Sequence, residues 1–109
     1  MSFSLAVWRH LGVPTGEEAF DVYDRLSDGE VGVVEGGPKV SKFLNSLLEF
    51  YPDDNGLAAP WASEVYFNNE CVLMQISWSR AQEVSAVVRV LAAENGLIVY
   101  DPQSREVLR

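Results

Sequence analysis

The chain has 109 residues, of which 48% are hydrophobic, and sixteen acidic side chains face eight basic ones for a net charge of −8. That apolar content excludes a globally disordered chain and fits one domain, residues 1–109, around one core. The negative field opposes phosphate backbones and anionic lipid, so neither nucleic acid nor a membrane surface is an expected partner, whereas a basic protein would be steered inward.

The chain opens on Phe3-Ser4-Leu5-Ala6-Val7-Trp8, whose alternation predicts a strand with Phe3, Leu5 and Val7 on its buried face. Thr15 and Glu18 have the spacing of a capping box. Ala19, Phe20, Tyr23 and Leu26 then recur at helical spacing until Asp28-Gly29. Residues 29–37 hold four glycines and three valines and read as a loop with a short extended piece around 31–34. Pro38 suits the first turn of a second helix. Val40, Phe43, Leu44, Leu47, Leu48 and Tyr51 form its apolar stripe, and Pro52 ends it. Residues 64–68 and 71–78 read as two strands joined at Asn68-Asn69. Ser79 and Gln82 give a second capping-box spacing ahead of a third helix with Ala81, Val84, Val87, Val88, Leu91 and Ala92 on its apolar face. Asn95-Gly96 suits a left-handed helix end. Residues 97–100 make the last strand, an edge strand, stopped by Pro102.

The order β, α, α, β, β, α, β predicts an α+β domain of the ferredoxin-like split βαβ kind. In that fold a four-stranded antiparallel sheet has the order 4-1-3-2. Its helices cover one face and leave the other open. The open face would carry Ser4, Ala6 and Trp8, Leu73, Gln75 and Ser77, and Tyr66, with Tyr100 joining from the edge.

Little in the chain suggests chemistry. Its one histidine, His10, and one cysteine, Cys71, fall on different elements, which disfavours a metal centre. Asp53-Asp54-Asn55-Gly56 lacks the ligand spacing of a calcium loop and reads as a solvated turn. The glycine-rich VGVVEGGPK matches neither phosphate-loop pattern. No catalytic residue, metal or cofactor is therefore expected. An enzyme built on His10, Tyr100 and Asp101 is the minor alternative. The lone cysteine, the lack of a ~20-residue apolar run and an N-terminus without signal-peptide character predict a cytoplasmic setting.

Four stretches carry a resemblance: Leu5-Ala6-Val7-Trp8, Pro60-Trp61-Ala62, Trp78-Ser79-Arg80-Ala81, and the terminal run from Gly96-Leu97 to Tyr100-Asp101-Pro102-Gln103. With them the chain resembles a loose family of small acidic bacterial proteins. That family is similar in size and charge to immunity proteins of polymorphic and contact-dependent toxin systems. The resemblance implies a non-enzymatic module that neutralises a basic toxin domain with an acidic surface. The expected contact residues are Trp8, Asp53, Asp54, Trp61, Tyr66, Tyr100 and Asp101. The alternative is a homodimeric small-ligand-binding or regulatory domain that dimerises through the open sheet face or its edge strands.

Overall fold

The structure is a computed structural model that describes residues 2–52 and 59–108. Its elements are β1 (Ser2–Trp8), α1 (Gly16–Ser27), α2 (Pro38–Phe50), β2 (Tyr66–Phe67), β3 (Cys71–Ser77), α3 (Ala81–Glu94), β4 (Ile98–Asp101) and β5 (Glu106–Leu108). The five strands form one antiparallel sheet in the order β2-β3-β1-β4-β5. The predicted succession 4-1-3-2 runs through it, with a fifth strand added beside β4. The strand first in chain order is thus the central one.

Local chemistry sets the helix ends. The Thr15 hydroxyl accepts the Glu18 amide at 3.1 Å, and the Thr15 amide donates to the Glu18 carboxylate at 2.9 Å. This is the reciprocal pair the spacing predicted. Pro38 opens α2. Gly96 ends α3 with a φ of 67°, and the Leu97 amide closes the turn onto the Ala92 carbonyl at 2.9 Å. The expectation for Ser79 fails. Residues Trp78–Arg80 form a 3-10 turn, α3 starts only at Ala81, and no side chain caps it. In place of a cap, Arg80 pairs with Glu83 at 2.8 Å.

The strand alternation divides the core in two. Leu5, Val7, Val72, Met74, Ile76 and Val99 point to one face and pack under Val40, Phe43, Leu44 and Leu47 of α2 and Val84, Val88 and Ala92 of α3. The opposite face is not open, which corrects the one-sided arrangement. Ala6, Trp8, Cys71 and Tyr100 lie on it and are covered by Ala19 and Leu26 of α1, with Phe20 and Tyr23 alongside. The reason is visible in the register. Trp8 pairs with Cys71 and Ala6 with Leu73, whereas Ser4 pairs with Gln75 and Ser2 with Ser77. This face is apolar at one end and polar at the other. Leaving Trp8 and Tyr100 in water would forfeit about 1.5–3 kcal/mol each, so α1 docks on the apolar half.

The sheet is closed by side chains as well as strands. The expected strand at 64–68 shrinks to Tyr66–Phe67. Upstream, Trp61 bridges to Ile76, the Ala62 amide donates to the Gln75 carbonyl at 2.8 Å, and the Ser77 amide donates to the Pro60 carbonyl at 2.7 Å. At the other side of β1, β4 pairs only with Ala6, Val7 and Trp8. Beyond it the Gln103 side chain takes over: its Oε1 accepts the Ser4 amide and its Nε2 donates to the Ser4 carbonyl at 2.9 Å. A single amide side chain thereby continues the ladder where the strand has turned away. Pro102 does end β4, as expected. The chain then turns through Arg105, at a φ of 58°, and returns as β5. So β4 is not the edge.

The glycine-rich loop is pinned by one carboxylate. Glu70, only 9% exposed, accepts the backbone amides of Gly32, Val33 and Val34 at 2.8, 2.9 and 3.1 Å. Burial acts to raise its pKa, but the three amides outweigh that and hold the carboxyl below its ordinary value. Gly36 is required here, since a Cβ would lie 2.3 Å from the Asn69 carbonyl oxygen. The loop so held lays Val33 and Val34 against the Trp8 cluster.

Candidate protein-binding surface

The outward side of α1 carries a row of exposed acidic side chains. Glu17, Asp21, Asp24 and Asp28 follow one another at spacings of four, three and four residues and are all exposed. At 3.6 residues per turn these positions fall on one stripe. Arg25 reaches the stripe electrostatically at Asp21, but its direct bonds go elsewhere. Its guanidinium grips Glu30 through two bonds of 3.2 and 2.9 Å, and that pairing raises its own pKa and lowers that of Glu30. Neighbouring like charges at these spacings cost an isolated helix about 0.2–0.5 kcal/mol per pair. Nothing in the packing of α1 requires them, because its buried side is Ala19 and Leu26.

At its C-terminal end the stripe runs into a cleft of about 400 Å³. One wall is α1 and the residues after it: Tyr23, Ser27, Asp28 and Gly29. The facing wall is Ser63, Glu64 and Tyr66. Leu73 and Gln75 of β3 also line it, where the apolar half of this face under α1 gives way to the polar half. Gln75 is held in place by the Ser2 and Ser4 hydroxyls, which both donate to its Oε1, at 2.9 and 2.8 Å. Tyr23 leans on Tyr100 with ring centres 5.5 Å apart, and burial pushes its phenol pKa up. Tyr66 is 45% exposed. Among the described residues, neither Asp28 nor Glu64 has an ion pair on its carboxylate.

The residues expected at a partner interface fare unequally. Trp8 and Tyr100 are corrected outright: both are 0% exposed, packed ring to ring at 5.9 Å beneath α1, and present nothing to a partner. Asp101 is nearly buried. Its Oδ1 accepts the Gln103 and Ser104 amides, at 2.9 and 3.4 Å, and also the Gln103 side-chain amide. It is a turn-former that braces Gln103 for its contact with Ser4. Trp61 is half-buried, and its indole donates to the Tyr51 carbonyl at 3.0 Å. Tyr66 stands at the cleft. Asp53 and Asp54, with the turn they belong to, lie outside the described residues. Asp21, Asp24, Asp28, Tyr23 and Glu64 add to the expected residues, and the four-three-four acidic spacing from Glu17 is the sequence signal for the three aspartates.

Other reactive groups have structural roles. Burial pushes the Cys71 thiol up to about 11, far from a reactive thiolate. His10 Nδ1 accepts the Trp8 indole at 3.4 Å. The Tyr100 hydroxyl is buried and bonds to neither His10 nor Asp101. Among the described residues no three His, Cys, Asp or Glu side chains gather as a metal site. No described helix is long and apolar enough to cross a membrane. Compared with protein-family models, curated proteins and solved structures, the chain gives no match.

Proposed function

We propose that this chain is a non-enzymatic protein-binding module of immunity type, acting in the cytoplasm. It neutralises a basic toxin domain by laying an acidic surface over that domain's cationic cleft. The central four strands serve as a ferredoxin-like scaffold that holds the surface rigid. The observation that carries this reading is the α1 stripe of Glu17, Asp21, Asp24 and Asp28, solvent-facing and unneeded for packing. Charge held along one helix face away from the core fits recognition, where it accelerates encounter and selects partners of opposite sign. With a net charge of −8, the rest of the surface reinforces the field.

The test is co-purification with the product of a neighbouring toxin-like gene, followed by rescue of cells expressing that toxin. Binding is expected to weaken steeply with salt. Asp21→Asn with Asp24→Asn is expected to slow association at least fivefold while leaving the fold as stable or slightly more so, since it relieves like-charge pairs. A toxin-free gene neighbourhood with no basic partner captured, or a double variant that binds unchanged, would overturn the proposal.

One observation favours the homodimeric regulatory alternative. Trp78, 57% exposed, meets Phe3 edge-on at 5.5 Å beside a groove that also includes Ala81, Ser85 and Ala86 of α3. A dimer seated there would bury Trp78. Light scattering decides: a dimer that Trp78→Ala dissociates supports it, and a monomer at high micromolar concentration removes it.

A further inference from the structure

We propose that the cleft between α1 and β2 is an arginine pocket: it takes one guanidinium group presented by the protein partner. This deepens the reading above and rests on it.

The lining points to a cation. Asp28 and Glu64 both line the cleft, both are exposed, and neither carboxylate has an ion pair among the described residues. An acidic occupant would meet repulsion from both. A neutral apolar one would strip water from two carboxylates and return nothing. A cation recovers that cost by pairing with them.

The rest of the lining selects the kind of cation. Each wall carries a tyrosine, Tyr23 on one side and Tyr66 on the other. A guanidinium is planar, weakly hydrated and stacks on aromatic rings while its edge bonds carboxylates; an ammonium is compact and strongly hydrated. Leu73 offers apolar contact for the methylene stem of the same side chain. Gln75 is fixed by two serines. The pocket also sits where an anchor would be wanted. An arginine seated at Asp28 leaves the partner's neighbouring basic groups over Asp24, Asp21 and Glu17. Interfaces commonly place an aromatic-lined arginine anchor beside a weaker charged border.

The probe is N-acetylarginine amide titrated into the ¹⁵N-labelled full chain, with N-acetyllysine amide and uncharged N-acetylcitrulline amide as controls. Saturable shifts are expected at the amides of Gly29, Tyr66 and Leu73, with a Kd in the roughly millimolar range suited to a single side chain. The lysine probe should bind at least fivefold more weakly, and the citrulline probe should leave the spectrum unchanged. Asp28→Asn with Glu64→Gln should weaken arginine binding at least tenfold, while Glu49→Gln with Glu94→Gln, exposed on α2 and α3 and outside the cleft lining, leaves it within twofold. Non-saturating shifts spread along α1, equal responses to arginine and lysine, or binding of citrulline would overturn the pocket. Those failures leave the partner test intact, since that test reads the stripe and not the cleft.

Discussion

Replacing Glu70 with glutamine tests how much one carboxylate contributes to the order of the glycine-rich loop. In the native chain Oε2 takes the Gly32 amide and Oε1 takes those of Val33 and Val34. Glutamine keeps one acceptor oxygen and turns an NH₂ group toward an amide that can only donate. Hydrogen bonds to a charged group are worth about 1.5–3 kcal/mol against about 0.5–1.5 for neutral ones. Two weakened bonds and one lost bond, softened by water reaching the loop, come to roughly 2 kcal/mol. At about 2.1 cal/mol/K of unfolding entropy per residue, that lowers Tm by about 9 °C for a chain of this length. Urea unfolding and thermal melts at pH 7 measure it, and hydrogen exchange at the Gly32, Val33 and Val34 amides should quicken in parallel. The pH dependence gives a second check. The folded Glu70 pKa is lowered, so its contribution is complete above the ordinary glutamate pKa of about 4.3 and is lost as pH falls through the folded value. The gap between native and variant chains should therefore close in acid. A gap under about 0.5 kcal/mol at pH 7, or one that persists unchanged at the lowest pH where both chains fold, would refute the reasoning.

Two further outcomes follow from buried geometry. Tyr100→Phe removes a buried hydroxyl without a partner and should raise stability by up to about 1–3 kcal/mol; calorimetry that finds a loss above 1 kcal/mol would mean the hydroxyl is bonded after all. Gly36→Ala puts a methyl group 2.3 Å from the Asn69 carbonyl oxygen and should cost about 1–3 kcal/mol, read by urea denaturation; a neutral substitution would show that loop and turn do not meet so closely.

Much of the fold was legible because its signals are local. The Thr15–Glu18 pair, Pro38, Asn95-Gly96 and the strand alternations each act within a few residues, and together they returned the three helices and the first four strands but not β5. Failures came where a distant contact decided the outcome. The side on which α1 docks depends on the β1–β3 register, which matches apolar with apolar and serine with polar; neither strand shows this alone. Trp8 and Tyr100 looked like interface aromatics because half of that face is indeed polar, but they belong to the other half. Pro102 ended β4 as read, yet the return into β5 depends on Arg105 accepting a left-handed conformation that residue type does not forecast. Ser79 had cap spacing, and the 3-10 turn across Trp78–Arg80 displaced it. The acidic surface was legible as a quantity but was sought in the turn at Asp53-Asp54, and the periodicity that organises it on α1 passed unread.

The placement of β1 has a consequence for how the molecule comes into being on the ribosome. This strand precedes its partners in the chain, yet its two neighbours are residues 71–77 and 98–101, and the side chain that completes its ladder is residue 103. A nascent chain ending before β4 would have α1 without Tyr100 beneath it and β1 with one flank bare. Such a chain holds no independently closed half, so truncation should give aggregation or proteolysis in place of a smaller domain. Folding then waits on long-range closure, a slow step for pairings this distant in sequence. For the same reason the acidic stripe acquires its rigid backing only once β4 and Tyr100 have been made.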